Sequence, residues 1–149
     1  MSLAAEQTVE RTGLEQLKAL IAGERRPGIV ETLDFEFVEV EEGLAVFEGV
    51  PGLAAYNPIG TVHGGYAATL LDSAMGCAVH TRMKAGQGYT TLELSIAYHR
   101  ALKDTSGPVR AEGRVISLGR RAAFAEGKLF DKDGALCATS TTTCLVYSQ

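Results

Sequence analysis

The sequence predicts a single α+β domain in which a mostly antiparallel sheet packs against one long apolar helix. The chain has 149 residues, enough for one domain with a full core, and 46% of them are hydrophobic. Alternating apolar and polar residues indicate strands both before and after one alanine-rich helical stretch. Strands grouped around a single helix, rather than alternating with helices, are typical of α+β folds.

The elements before the long helix are a short helix and a hairpin. Residues 13–24 carry leucine and isoleucine at helical spacing, and this pattern stops before Pro27. Apolar side chains then alternate with acidic ones, which predicts a strand, a turn at "EEG" and a partner strand over 44–49. The alternating apolar residues of the first strand are Leu33, Phe35 and Phe37. Residues 51–63 are rich in Gly and Pro and are expected to form a loop.

The long helix is predicted from Gly65 to about Met83, and four strands follow it. Its expected core residues are Leu70, Leu71, Met75 and Val79. The strands are predicted near 89–99, 108–118, 120–131 and 135–147, with "DKDG" as the turn between the last two. Strict alternation in the first of them places Leu92, Leu94, Ile96 and Tyr98 on one face, and Thr91, Glu93 and Ser95 on the other.

Composition narrows the classes of function. The net charge of −4 argues against nucleic acid as the main partner, and no apolar run is long enough to cross a bilayer. The first 13 residues lack the apolar core of a secretory signal, and cytoplasmic location is the expectation. The three cysteines form no CxxC pair, so we expect buried thiols rather than disulfides or a zinc site. Residues 1–75 have 12 acids and 4 bases (−8), whereas 76–149 have 6 and 10 (+4). A basic second half would suit a small polyphosphate ligand.

The segment "IGTVHGGYAATLLDSA", residues 59–74, breaks two local rules of helix composition. Two glycines stand at the helix start and an acid, Asp72, lies in its third turn. No Ser, Thr or Asp precedes the glycines, which predicts an uncapped N-terminus whose N–H groups can bind a polarised carbonyl oxygen. The polar residues of the helix form one stripe that includes Asp72, and this stripe could instead simply face water.

A carboxylate and an N–H site of this kind are two parts of an acyl-transfer centre. From Gly64 to Asp72, however, the helix rises about 12 Å. One carbonyl group cannot touch both within a single chain. If both act on the same carbonyl, a second subunit must supply one of them, and the sequence predicts an active dimer.

The stretch "NPIGTVHGGYAATLLDSAMGCA" resembles the signature of the PaaI-type acyl-CoA thioesterases of the hotdog superfamily. "GYTTLELSIAYHRAL" and "ALCATSTTTCLV" further along are also similar to that family, so the resemblance covers about residues 30–147. It implies one hotdog domain over residues 1–149, with 1–28 as a helical extension. It also implies a homodimer, usually paired into a homotetramer, and hydrolysis of acyl-CoA without a metal or other cofactor.

The resemblance implies roles for individual residues. Asp72 would be the nucleophile or the general base for water, and the Gly64 N–H would polarise the thioester carbonyl. Asn57 would position the carbonyl, the water or the loop. His63 would shape the loop by hydrogen bonding, and Thr91 would orient the water.

The remaining expected site residues contact the substrate. Gly65 would allow close approach to the main chain, and Thr90 lies beside Thr91. Arg120 and Arg121 in "GRR" would meet the phosphates of CoA. Arg100, Lys103 and Arg110 are weaker candidates for that role.

Two other functions stay open at this stage. One is an acyl-CoA-binding hotdog protein without catalysis, and the other is a hotdog hydratase or dehydratase. An acid at position 72 argues against mere binding, and the nearest acid after His63 lies nine residues away, unlike the paired acid that a dehydratase histidine uses. The sequence leaves open whether the acyl group is aromatic or fatty. It also leaves open whether Asp72 is the nucleophile or the general base.

Overall fold

One long helix and six antiparallel strands make up most of the chain. The computed structural model describes residues 10–23 and 26–149. Its elements are α1 (Gly13–Ile21), α2 (Gly28–Leu33), β1 (Phe35–Glu41), β2 (Leu44–Gly49), α3 (Gly64–His80), β3 (Gln87–Tyr98), β4 (Val109–Leu118), β5 (Ala122–Phe130) and β6 (Leu136–Ser148). The α+β prediction is confirmed. Of the predicted helical extension over 1–28, residues 1–9 and 24–25 lie outside the described residues.

The six strands form one sheet in the order β1-β2-β4-β5-β6-β3, and every pairing is antiparallel. The two edges of the sheet are therefore β1 and β3. Helix α3 packs on one face of this sheet, very close to β4. A Cβ atom on Gly113 of β4 would collide with the Ala74 carbonyl oxygen of α3. Glycine at this position lets the helix backbone rest directly on the strand.

The predicted helix core is confirmed. Leu70, Leu71, Met75 and Val79 are all fully buried between α3 and the sheet. The helix itself begins one residue before the predicted start and ends at His80 rather than Met83. Arg82 and Met83 donate to carbonyls three residues back, so the chain tightens into short turns where the helix was expected to continue.

A second short helix, α2, was not predicted. Its β-branched residues and the alternation that follows favour a strand, yet "GIVETL" forms six residues of helix. Burial of Val30 against the core outweighs that local preference. Asp34 ends the helix in the left-handed conformation, with φ of 52°, and β1 starts directly after it.

Helix α1 is fastened to the C-terminal end of α3. Thr12 and Glu15 form a capping box at its start, and the Gly13 N–H donates to the Met83 carbonyl at 2.9 Å. The side chains of Gln16 and His80 are hydrogen-bonded at 3.0 Å, and burial lowers the pKa of His80. Helix α1 is thereby held against the C-terminal end of α3, and residues of α1 and α2 line a cavity with Asp72 in the middle of α3.

Candidate active site

Asp72 is half-buried in the middle of α3 and faces a cavity of about 510 Å³. The Thr91 hydroxyl of β3 donates a hydrogen bond of 3.0 Å to its Oδ1. Thr91 thereby fixes one oxygen of the carboxylate. Among the described residues, it is the one side chain that donates a hydrogen bond to Asp72. The arrangement leaves Oδ2 for a water molecule or a substrate.

A β-bulge at Leu92 brings Thr91 to Asp72. Thr91 pairs with Cys144 of β6 and Glu93 pairs with Thr143, so Leu92 is an extra residue without a partner. The prediction that Leu92 shares a face with Leu94 and Ile96 is therefore wrong. Leu92 is 60% exposed, and Thr91 points to the helix instead. A single inserted residue reverses the alternation on either side of it.

The polar stripe of α3 is half-buried around Asp72 and Ser73, where residues of α1, α2 and β3 line the same cavity. The walls of the Asp72 cavity are mostly apolar and come from the two N-terminal helices with the segment between them, the first hairpin, α3 and Tyr89 of β3. The apolar members are Leu20, Ile21, Ile29, Val30, Phe37 and Phe47. Burial, and then the nearby Asp72 carboxylate, raise the pKa of the Cys77 thiol in this cavity to about 12. Cys77 is therefore a neutral thiol at physiological pH, and it is free, as are Cys137 and Cys144.

The start of α3 carries a side-chain cap, contrary to the prediction. His63 is the N-cap residue, and its Nδ1 accepts a hydrogen bond of 2.8 Å from the Gly65 N–H. An imidazole nitrogen thus takes the place of the usual hydroxyl or carboxylate, which a search for Ser, Thr or Asp overlooks. The cap binds the Gly65 N–H. The neighbouring Gly64 N–H has no hydrogen-bond acceptor within the described part of the chain.

Tyr98, which the sequence did not single out for the site, lies against this helix start. Its hydroxyl donates to the Gly64 carbonyl oxygen at 2.7 Å. Burial raises the pKa of Tyr98, so its hydroxyl stays protonated and remains a donor. A Cβ on Gly64 would be 3.0 Å from the Tyr98 hydroxyl oxygen, a close approach that favours glycine. Only the folded chain reveals this contact, because the residues are 34 apart.

Asn57 organises the loop before the helix. Its Oδ1 accepts from the N–H groups of Ile59 and Thr61, both at 3.1 Å, and its Nδ2 donates to the Thr61 hydroxyl at 2.9 Å. The carboxamide is thus occupied mainly within residues 57–61. Of the three roles that the resemblance implies for Asn57, this geometry supports positioning of the loop.

Asn57, His63, Gly64 and Tyr98 line a second cavity, of about 310 Å³. Arg100 also lines it, which brings this weaker phosphate candidate close to the free Gly64 N–H. Asp72 is absent from this lining, and Gly64 is absent from that of the first cavity. The structure does not bring the two groups together within one chain, in keeping with about 12 Å of helix between them.

Comparison with known proteins places the chain in a family. The profile of the Thioesterase superfamily matches residues 59–138, which include both Gly64 and Asp72. The chain belongs to the Thioesterase superfamily. It is a thioester hydrolase of the hotdog fold, so the resemblance and the predicted activity are confirmed, and the binding-protein and hydratase alternatives are set aside.

Individual members of the superfamily support this placement. The proofreading thioesterase EntH of Klebsiella pneumoniae is 31% identical over 111 residues, covering 74% of this chain and 80% of that protein. The 1,4-dihydroxy-2-naphthoyl-CoA hydrolase of Listeria monocytogenes is 29% identical over 122 residues, which cover 82% of this chain and 98% of that protein. The crystal structure of a phenylacetic acid degradation-related protein from Ralstonia eutropha JMP134 superimposes with a TM-score of 0.77 at 29% identity. The superposition covers 87% of this chain and 98% of the Ralstonia protein.

Arg120 and Arg121 lie exposed in the turn between β4 and β5 of this thioesterase. Ala123 pairs with Cys144, which pairs with Thr91, so the turn is at the Asp72 end of the sheet. Two strand spacings, about 10 Å, separate Ala123 from Thr91. The turn that carries the arginine pair is therefore at the same end of the sheet as Thr91, although neither arginine lines either of the two cavities.

The other predicted contacts are less well placed. Thr90 is exposed, and alternation directs its side chain away from Asp72. Arg110 bonds three carboxylates, those of Glu39, Glu48 and Glu112, at 2.8, 3.3 and 2.9 Å. This network engages its guanidinium, which is not free for a phosphate.

Within residues 10–23 and 26–149, none of the helices has the length and apolar character needed to cross a bilayer.

Proposed function

We propose that this thioesterase hydrolyses acyl-CoA esters at a site shared by two protomers, with Asp72 from one and the Gly64 N–H from the other. The observation that carries the proposal is the separation of these two groups into different cavities of one chain. The Listeria relative supports a CoA ester as substrate, because its name states hydrolysis of one.

The chemistry follows from the two groups. With Asp72 as general base, its carboxylate takes a proton from water while the oxygen attacks the thioester carbonyl carbon. The Gly64 N–H and the positive end of the α3 dipole stabilise the tetrahedral oxyanion. The carbon–sulfur bond then breaks, the proton passes to the thiolate, and the products are a free acid and CoA. With Asp72 as nucleophile, a carboxylate oxygen attacks the thioester carbon and expels the CoA thiolate to give an anhydride. Water then hydrolyses the anhydride, which releases the free acid, restores the Asp72 carboxylate and supplies the proton that the thiolate takes up. The Thr91 hydrogen bond orients the carboxylate in either route.

The dimer of the proposal forms through the open edge of β3, and two such dimers would associate into the homotetramer that the resemblance implies. Thr91 and Tyr98, which hold the two halves of the site, both belong to β3. Its exposed Leu92 would be covered by a partner strand. We place the enzyme in the cytoplasm, where the three free cysteines would stay reduced.

The acyl group, in this proposal, occupies the apolar cavity beside Asp72, and the pantetheine arm enters the partner's cavity at Gly64. The first is lined by Ile29, Phe37 and Phe47, whereas the second includes His99 and Arg100. Phenyl side chains suit an aromatic or fatty acyl group, and the charged residues of the lining besides Asp72 are Arg26 and Glu36. Release of the CoA thiol from a panel of acyl-CoA esters, followed with a thiol reagent, tests the activity and ranks the acyl groups.

Filling the acyl cavity should change this ranking. We expect Ile29→Trp to lower kcat/KM for the preferred large acyl group by at least ~10-fold and to leave acetyl-CoA nearly unchanged. Ile116→Trp is the matched control, because Ile116 is also exposed and lines neither cavity. Equal losses for large and small acyl groups would place the acyl group elsewhere.

The arginine pair should contribute to binding rather than to chemistry. We expect Arg120→Ala with Arg121→Ala to raise KM for CoA esters by at least ~10-fold while kcat changes little, the pattern of lost uniform binding. A thioester that lacks the nucleotide should be unaffected. A control variant, Arg114→Ala with Lys132→Ala, removes the same charge from exposed positions outside both cavities. Equal damage with the full and the truncated substrate would contradict phosphate binding.

A further inference from the structure

Tyr89 of β3 brings an unpaired hydroxyl to the wall of the acyl cavity. In the described part of the chain, the unpaired polar side-chain atoms that are sealed from solvent are the Tyr66 hydroxyl and Nδ1 of His80. The Tyr89 hydroxyl is not one of these, and no described residue is its hydrogen-bond partner. It is therefore open to the cavity and available to whatever fills it.

The fold holds this hydroxyl about one helical turn beyond Asp72. Thr91 and Tyr89 are two residues apart on β3, about 7 Å, and both side chains point to α3. Thr91 meets Asp72, whereas Tyr89 lies over Gly76, which is four residues or about 6 Å further along the helix. A Cβ on Gly76 would stand 2.6 Å from the Tyr89 hydroxyl oxygen, so glycine leaves the room that the tyrosine occupies.

Contacts on its other sides fix the Tyr89 ring. The His80 ring packs against it with 5.6 Å between the ring centroids, and His80 is itself hydrogen-bonded to Gln16 of α1 at 3.0 Å. The Tyr89 backbone pairs with Val146 of β6 within the sheet. A hydroxyl on a ring held in this way is preorganised, so binding a ligand atom to it loses little conformational freedom.

The surroundings of the Tyr89 hydroxyl disfavour negative charge. Burial, and then the Cys77 thiol and the Asp72 carboxylate, raise the pKa of Tyr89 well above its usual range. The hydroxyl therefore stays protonated at physiological pH and can donate as well as accept a hydrogen bond. The Asp72 charge would repel an anionic ligand group at the same place, so a neutral oxygen fits better there than a carboxylate.

An acyl group made only of hydrocarbon would cover this hydroxyl and leave it without a partner. Buried polar groups that a ligand leaves unpaired reduce its binding, and sites that contain them reject such ligands. The Ser73 hydroxyl, next to Asp72, is a second group on this wall without a partner among the described residues. We infer that Tyr89 is a specificity-determining residue whose hydroxyl binds a neutral oxygen, hydroxyl or carbonyl, carried by the acyl group about 6 Å beyond the reacting carbonyl. This inference rests on the proposed function, which places the thioester at Asp72.

Pairs of esters that differ by one oxygen test this inference. We expect kcat/KM to favour 4-hydroxybenzoyl-CoA over benzoyl-CoA, or 5-oxohexanoyl-CoA over hexanoyl-CoA, by at least ~10-fold. Tyr89→Phe should bring that ratio close to one, because phenylalanine keeps the ring and removes only the hydroxyl. Its thermal melt should match that of the parent, since the hydroxyl has no partner in the described protein. Tyr147→Phe is the matched control, because Tyr147 is an exposed tyrosine of β6 that lines neither cavity.

Equilibrium binding separates this inference from the proposed function. Calorimetry with the parent and with Asp72→Asn should show tighter binding of the oxygen-bearing ester, and adding Tyr89→Phe should remove the difference. The inference is overturned by a protein that binds both members of each pair alike, or by a preference that Tyr89→Phe leaves unchanged. Hydrolysis without discrimination would leave the proposed function standing. Discrimination through Tyr89 in binding, without hydrolysis of any ester, would contradict the proposed function and keep the role of Tyr89.

Discussion

Asp72→Asn is expected to lower kcat for acyl-CoA hydrolysis by at least ~100-fold while the fold stays intact. Asparagine keeps an oxygen that can accept the Thr91 hydrogen bond, so packing and thermal stability should change little. It has no basic or nucleophilic oxygen anion, so neither catalytic route remains. Steady-state hydrolysis with a thiol reagent, together with a thermal melt, measures both effects.

A matched variant separates catalysis from charge. Asp133→Asn makes the same change at an exposed position in the turn between β5 and β6, far along the chain from the cavity. It should hydrolyse acyl-CoA at the parent rate. An Asp72→Asn enzyme that also works near the parent rate would remove Asp72 from the mechanism, whatever the acyl group.

Two inactive variants should restore each other if the site is shared. Gly64→Pro removes the N–H at the first position of α3, where proline is well tolerated. His63 already has φ of −58° and ψ of 135°, the extended backbone that a residue before proline adopts. Homodimers of Gly64→Pro and of Asp72→Asn should each be nearly inactive. After mixing and re-annealing, half the dimers are mixed and each has one intact site, so about a quarter of the parent's sites should return.

The control for the proline is Gly64→Ala. It adds the same Cβ, 3.0 Å from the Tyr98 hydroxyl oxygen, but keeps the N–H. Hydrolysis by Gly64→Ala well above that of Gly64→Pro would assign the loss to the missing donor rather than to crowding. Absence of recovery in well-folded, demonstrably mixed dimers would show that the site is complete within one chain.

Local patterns in the sequence determined the fold class and most of the elements. Alternation predicted the hairpin and the later strands, and strand 44–49 has the predicted bounds because Gly43, at φ of +78°, ends a tight turn. The hairpin at "DKDG" follows from Asp131, whose carboxylate accepts from two N–H groups of the turn. These features depend on residues a few positions apart, which is why one sequence suffices to find them. The separation of Gly64 from Asp72 is likewise simple helix geometry.

Tertiary structure decided what depends on contacts between distant residues. The bulge at Leu92 turns Thr91 toward Asp72, 19 residues away, and no alternation rule anticipates an inserted residue. Helix α2 exists because the core buries Val30, against the strand preference of its neighbours. The part of the polar stripe around Asp72 that could have faced water lines a cavity with helices that start some 50 residues earlier in the chain. Burial and partner geometry are properties of the assembled chain, so they determine which polar residues form a site, while the sequence determines which are present.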